Sequence, residues 1–296
     1  MSTPVLVVGA TGFLGKKVVR ALVERGKTVR ALVREGTDPG PLRELGVEIV
    51  RGNMLDPPSL DRALEGAAAL VTTAIGYSAR KPGDTLAKVD GLGNKNLIDA
   101  ARRAKIGRFV LTSILTCELA RDVPHFWQKK LTEDYLEASG VPFVSLRPGA
   151  FLNAMWWARN LKKGSMPAMG SPTVRSTSIH PDDVARCLAL AVDEPRALGR
   201  RIDLGMDRPV SATDLAEACT KLLGRPIKVQ VLPTGLIFGV TGLFNERMRD
   251  MAAMIKYFGR GTYIADTTVQ AELFGPVPAF EDSLRRALKD GGLLET

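Results

Sequence analysis

The chain has 296 residues, 45% of them apolar and 25% charged, with a formal net charge of +9. That length suits one large α/β domain with a smaller one appended, and the composition excludes a largely disordered chain. Two histidines, and three cysteines (Cys117, Cys187, Cys219) without CxxC spacing, exclude a multi-histidine metal centre and a disulfide framework.

Val5 to Val8 is a short apolar run between turn formers and reads as a strand buried on both faces. Gly9 to Gly15 follows, then a helix over Lys16 to Arg25 with Val18, Val19, Leu22 and Val23 on one face, ended by Gly26. Strands are expected at 28–33 and 47–50, with a helix near Pro41 to Leu45 between them. A short helix over Pro58 to Leu64, a strand at 68–73, a helix over Val89 to Ala104 and a strand at 108–113 come next. Pro124 to Ser139 reads as a helix with proline in its first turn, and Val141 to Leu146 as a sixth strand.

This alternation implies a parallel sheet covered on both faces, and right-handed crossovers make it doubly wound: an α/β Rossmann sheet with a smaller C-terminal α/β substrate domain. The nucleotide-binding domain is expected over 1–150, completed by about 179–205, and the smaller region over 151–178 and 206–296. Within the latter, Phe151 to Leu161 reads as a helix, Lys162 to Pro172 as a loop, and Arg201 to Leu204 as a strand returned to the main sheet. Pro181 to Val192 reads as a helix, with His180, Asp182 and Asp183 as its structural start. No apolar run reaches the ~18 residues of a membrane span, and the start lacks the pattern of a secretory signal. Reduced thiols and a cytoplasmic setting are expected.

The segment Gly9-Ala10-Thr11-Gly12-Phe13-Leu14-Gly15 lies where a strand turns into a helix. Gly9 permits the turn, Gly12 lets backbone approach a pyrophosphate, and Gly15 lets helix and strand pack closely. Amides at the helix start then face the phosphates. Gly9, Thr11, Gly12, Phe13, Leu14 and Gly15 are therefore candidate cofactor contacts. The second strand ends in Arg34, nineteen residues past Gly15, where an acid would select NAD. A guanidinium pairs with a 2′-phosphate, so NADP(H) is the expected cofactor, with the adjacent Glu35 the residue that opposes it. The basic residues are dispersed, in pairs such as Lys16-Lys17 and Arg102-Arg103, and carry no nucleic-acid motif. They read as solubility and as steering of an anionic cofactor.

The GxxGxxG spacing resembles the extended and atypical short-chain dehydrogenases. Arg108 to Ser113, Leu146-Arg147-Pro148-Gly149, Asp182-Asp183-Val184-Ala185 and Leu273-Phe274-Gly275 recur in the order of the NmrA-like branch. The resemblance implies that Asn53 and Met54 touch adenine, although the family usually has Asp where Asn53 stands. It implies that Thr73, Ala74 and Ile75 lie against the nicotinamide ribose, and that Pro148, Gly149 and Phe151 border the nicotinamide.

By the same resemblance, Ser113 takes the position of the family's Ser or Thr, and the helix that follows should carry Tyr-x-x-x-Lys. Here it carries His125-Phe126-Trp127-Gln128-Lys129. Residues four apart share a face, so His125 and Lys129 can serve one site. A neighbouring cation and a helix N-terminus both push an imidazole toward neutrality, so His125 would be a hydrogen-bond donor rather than a full acid. Lys129 is the better candidate for holding the ribose and relaying a proton. Thr112 and Thr116 are alternatives to Ser113.

Phe151, Met155, Trp156, Trp157, Met166 and Met169, with Phe238 and Phe244, form either a hydrophobic substrate pocket or the core of the small domain. Two readings follow: an NADPH-dependent reductase of a carbonyl, quinone or polarised alkene of a hydrophobic small molecule, or a non-catalytic NADP(H)-binding redox sensor or regulator. An assembly subunit retaining a bound cofactor is a third. Homo-oligomerisation is left open.

Overall fold

The computed structural model describes residues 3–76, 83–153, 157–234, 238 and 245–295. It divides into two units. The first comprises residues up to 114, 125–147 and 182–202, and the second 115–124, 148–181 and 203 onward.

The first unit is built on a parallel sheet. Its strands are β1 (Val5–Val8), β2 (Val29–Val33), β3 (Glu48–Arg51), β4 (Ala69–Thr72), β5 (Arg108–Thr112) and β6 (Phe143–Pro148). β1, β4 and β6 are buried along their whole length, as strands covered on both faces must be. The order is β3-β2-β1-β4-β5-β6, with β10 (Arg201–Leu204) added outside β6. Gly199 N donates to Phe143 O and Ser145 N to Arg200 O, which sets β10 parallel to its neighbour. The chain reverses direction across the sheet between β1 and β4, and ligands of doubly wound sheets bind at that point, outside the carboxyl ends of the strands.

Helices α1 (Phe13–Glu24), α2 (Pro57–Leu64), α3 (Asn94–Arg103) and α4 (Pro124–Ala138) make the crossovers. One core cluster joins Leu6, Leu32 and Leu70 of the sheet to Leu60, Leu64, Leu97 and Ile98 of the helices. The expected helix near Pro41 is only a 3-10 turn, Gly40–Leu42, closed in by Gly40 and Gly46 at positive φ. The helix expected from Val89 opens instead as a π-helical turn, Ala87–Gly93, and becomes α-helical at Asn94.

In the second unit, β7 (Ala150–Phe151) pairs in parallel with β9 (Ser178–Ile179), so the chain at Phe151 is extended where a helix was expected. The helical part shrinks to α5 (Ala158–Lys162), and residues 154–156 lie outside the described set. The expected loop from Lys162 is interrupted by β8 (Ser165–Met169), which pairs with β11 (Lys228–Leu232) from Ser165↔Lys228 to Met169↔Leu232. Pro167 gives up an amide, which a strand with one open edge tolerates.

α6 (Pro181–Ala191) carries Asp182 and Asp183 in its first turn, as expected. α7 (Ala212–Leu223), α8 (Glu246–Phe258), α9 (Thr268–Phe274) and α10 (Phe280–Asp290) complete the chain. The second unit has its own core of Leu152, Met166, Cys219, Phe280 and Leu284 among others. No helix among the described residues is long and apolar enough to cross a membrane.

Candidate cofactor and active site

The glycine loop closes tightly at the end of β1. Gly12 N donates to Gly9 O at 2.8 Å. Gly9 has φ +82°, and a Cβ there would lie 2.8 Å from Thr73 Oγ1. A Cβ at Gly15 would fall 2.0 Å from Gly9 O, and one at Gly12 2.9 Å from the same oxygen. Gly12 is therefore required by the loop's own backbone as well as by any approaching phosphate. Thr73 Oγ1 donates to Val8 O at 3.3 Å, tying the ends of β1 and β4 together. The start of α1 has no side-chain cap and no acid in its first turn. Its uncapped amides suit an anion, and the missing Cβ atoms leave room beside them. Leu14 is buried, whereas Thr11 and Phe13 are partly accessible, with Lys17 Nζ 5.6 Å from the Phe13 ring centroid.

Beyond β2 and β3 lies a cavity of about 430 Å³ lined by Arg34, Glu35, Arg51, Asn53, Arg62, Asp84 and Lys88, among others. Arg34 Nη1 is 2.9 Å from both carboxylate oxygens of Asp84. Arg51 Nη1 donates to Arg34 O at 3.0 Å and Thr37 O at 2.8 Å, pinning the turn that presents Arg34. Asn53 Oδ1 accepts from Leu55 N, while Met54 is buried in the core cluster. The four cations and the glycine cradle fit the two ends of a phosphorylated dinucleotide. Arg51, Arg62 and Lys88 were missed in the sequence because nothing local ties them to Arg34.

On α4 the residues at 125, 129 and 133 are all buried. His125 packs edge-on against the Phe126 ring at 4.7 Å. Lys129 is only 3% exposed. Its Nζ lies 3.4 Å from Ala74 O and 3.2 Å from Oδ1 of Asp90, a residue with no exposure at all. Ile75 is exposed beside the buried Gly76. Ser113 is buried, and its hydroxyl is hydrogen-bonded to Glu133. Glu133 also takes Ser145 Oγ at 2.7 Å, Arg147 through two nitrogens, and Arg201 Nε at 3.1 Å. Burial pushes the Glu133 carboxyl up, but hydrogen bonds and charge from Arg147, with the Ser145 and Ser113 hydroxyls, outweigh this and hold it below its ordinary 4.5.

Asp90 and Glu133 were not singled out from sequence. The available signal was an acid on an apolar stripe: Asp90 leads Asn94, Leu97 and Ala101 at helical spacing, and Glu133 follows His125 and Lys129 at steps of four.

In the second unit, Pro148 and Gly149 are buried and Phe151 half-buried. A Cβ at Gly149 would lie 2.6 Å from Thr177 O. Thr116, with φ +53°, receives the Tyr257 hydroxyl on its Oγ1 at 2.8 Å. Of the expected apolar cluster, Met166 is in this unit's core, Trp157 packs against that core, and Met169 is half-exposed. Phe238 is partly buried, whereas Met155, Trp156 and Phe244 lie outside the described residues. His180 is buried with Nε2 3.3 Å from Asp290 Oδ2, a link to the C-terminal helix.

The profile of the NmrA-like family matches residues 1–276. The chain is 30% identical over 294 residues to photosystem II assembly factor Ycf39 of Cyanophora paradoxa, covering 96% of this chain and 85% of that protein. Among solved structures it is similar to the Citrobacter sp. triphenylmethane reductase complexed with NADP(H), with TM-score 0.80, 20% identity and coverage of 96% and 100%. It is also similar to the Escherichia coli NADPH-dependent quinone oxidoreductase QOR2 complexed with NADPH, with TM-score 0.79, 22% identity and coverage of 95% and 99%. At these identities the two structural likenesses show the fold alone.

Proposed function

The chain belongs to the NmrA-like family, and from that premise we propose that it is an NADPH-dependent oxidoreductase that reduces a carbonyl, quinone or polarised alkene of a hydrophobic small molecule. The observation that carries this reading is Lys129. A lysine buried to 3% exposure, held between the Ala74 carbonyl at 3.4 Å and Asp90 Oδ1 at 3.2 Å, is a cation fixed in place inside the fold. The backbone beside it continues β4, whose end is tied to the glycine loop through Thr73.

The residues divide the work by position. The uncapped start of α1, with Gly9, Thr11, Gly12, Phe13, Leu14 and Gly15, holds the diphosphate. Arg34, supported by Arg51, holds the 2′-phosphate, and Asn53 borders the adenine, while Met54 packs in the core behind it. Thr73, Ala74 and Ile75 form the ribose wall, and Lys129 donates its ammonium hydrogens to ribose hydroxyls. When bound, the dihydronicotinamide supplies a hydride. Lys129 then provides the matching proton to the substrate oxygen through water or a ribose hydroxyl, and is recharged from solvent. His125, one turn before Lys129 on the same face of α4, contributes a hydrogen bond rather than the proton. Ser113 acts through Glu133, keeping the end of β5 in register with α4.

The names of two structurally similar proteins, a quinone oxidoreductase and a triphenylmethane reductase, both with NADP(H), support this substrate class. The test is NADPH oxidation against a panel of quinones, cationic dyes and enones. Turnover that Lys129→Ala lowers at least tenfold is expected; no turnover with any acceptor contradicts the enzyme reading.

A second reading has one specific observation behind it: the 30% identical relative is named an assembly factor. Under it the chain binds NADP(H) and docks on a protein without turning over. It predicts equal affinity for NADPH and NADP⁺ and no oxidation with any acceptor.

A further inference from the structure

We propose that Asp90 is the positioning residue for Lys129. The proposal rests on the NADPH-dependent reading above and names a part of the machinery that reading does not contain.

A carboxylate with no exposure is strongly disfavoured unless both oxygens are satisfied. Asp90 meets one with a hydrogen bond and the other with charge alone, its Oδ1 making no hydrogen bond. Oδ2 accepts the Gly76 amide at 2.6 Å, and Oδ1 faces Lys129 Nζ at 3.2 Å. Gly76 belongs to the backbone that follows β4, and Lys129 to α4, so one carboxylate joins the ribose wall to the cation that serves it.

Asp90 is itself held from both sides. Its carbonyl accepts Asn94 Nδ2 at 3.0 Å and Thr132 Oγ1 at 3.3 Å. Thr132 lies three residues after Lys129 on α4. The π-helical turn Ala87–Gly93 carries Asp90, and such turns are uncommon and concentrate at functional sites. The close approach also needs glycine at 76, since a Cβ there would meet Thr85 O at 2.6 Å and Asp90 Oδ2 at 3.0 Å.

The physical consequence concerns reach. A lysine ammonium on four rotatable bonds samples many positions, and ordering it at binding costs affinity. Asp90 fixes it beforehand against Ala74 O. Removing the carboxylate charge should therefore weaken NADPH binding and slow turnover, and should do so only through Lys129.

The experiment is a double-mutant cycle on the full chain with Asp90→Asn, Lys129→Met and the double variant. NADPH affinity is measured by calorimetry, kcat and KM with a quinone acceptor, and folding by thermal melting. Asp90→Asn is expected to raise the NADPH Kd about tenfold and lower kcat, with the quinone KM unchanged. In the Lys129→Met background the same change is expected to have no further effect on Kd. Additive losses overturn the proposal while leaving the NADPH reading intact, because they show Asp90 acting independently of Lys129. Wild-type protein that ignores NADPH overturns both. Should Asp90→Asn alone fail to fold, comparing Lys129→Met with the double variant, which carries no unpaired charge, still decides: equal affinity supports the proposal and a weaker double variant overturns it.

Discussion

Glu133 holds Arg147 through two parallel hydrogen bonds, Nε to Oε1 at 2.9 Å and Nη2 to Oε2 at 2.6 Å, with the carboxylate fully buried. Ser145, Ser113 and Arg201 complete the shell, so that β5, β6 and β10 are all fastened to α4 at one point. Such forked pairs are strong and directional. Breaking one by removing a single partner costs more than the pair contributes, because the remaining charge is stranded. Glu133→Gln should therefore destabilise the protein by about 3–5 kcal/mol, measured by urea unfolding. A loss under about 1 kcal/mol, the range of exposed pairs, would show that the network is not structural.

The same carboxylate sets an acid limit. Its folded pKa lies below 4.5, so the unfolded chain binds the proton more readily than the folded one. Its contribution is fully present above the unfolded value and is lost as pH falls through the lower folded value. Stability should be flat with respect to this group at neutral pH and decline only below about pH 4.5. Glu133→Gln should flatten that decline. An unchanged acid limb in the variant would assign it to other groups.

Gly15→Ala tests the cradle. The added Cβ would sit 2.0 Å from the Gly9 carbonyl oxygen, far inside contact distance, so the loop must open. NADPH affinity should fall by at least about 100-fold, or some 2.7 kcal/mol. The neighbouring change Ala10→Gly, which adds no atom, should leave a measurable site. Retained affinity in Gly15→Ala would mean that the loop does not hold the diphosphate.

Arg34 tests the choice of cofactor. Losing a charge-assisted pair with a 2′-phosphate costs about 1.5–3 kcal/mol, or roughly 10- to 100-fold. Arg34→Ala should lower NADPH affinity by that factor and leave NADH nearly unchanged. Asp84 now occupies the Arg34 guanidinium with both oxygens, so Asp84→Asn should raise NADPH affinity. Equal losses for both nucleotides in Arg34→Ala would contradict the assignment.

The cysteines should be silent in the folded protein. Burial pushes the Cys187 thiol up to about 12, and the Cys219 thiol likewise, while Cys117 is buried beside them in kind. Thiol titration at pH 8 should show negligible fast reaction before denaturation and three equivalents after it. A rapidly reacting thiol in the folded state would place one of them at an accessible site.

The sheet was legible because its strands are short, continuous apolar runs set between glycine-marked turns. The loop at Gly9 to Gly15 was legible for the same reason. Lys129 and His125 were found through the resemblance to the short-chain dehydrogenases, whose Tyr-x-x-x-Lys pattern is a local signal on one helix. Asp90, Glu133 and Arg51 were not found, because each acts on residues distant in sequence: Asp90 on Lys129, Glu133 on Arg201, Arg51 on the turn carrying Arg34. β8 was read as a loop because Gly164, Pro167 and Gly170 are turn formers in isolation, and only pairing with β11 makes the segment extended. Phe151 was read as the start of a helix, whereas the residue it pairs with, Ile179, lies nearly thirty residues on and leaves no local signal.

The most direct test of the account is calorimetric titration of the purified protein with NADPH and with NADH in the same buffer. Saturable binding of NADPH, at least about tenfold tighter than NADH, is the predicted result. No heat with either nucleotide, or tighter binding of NADH, would contradict it.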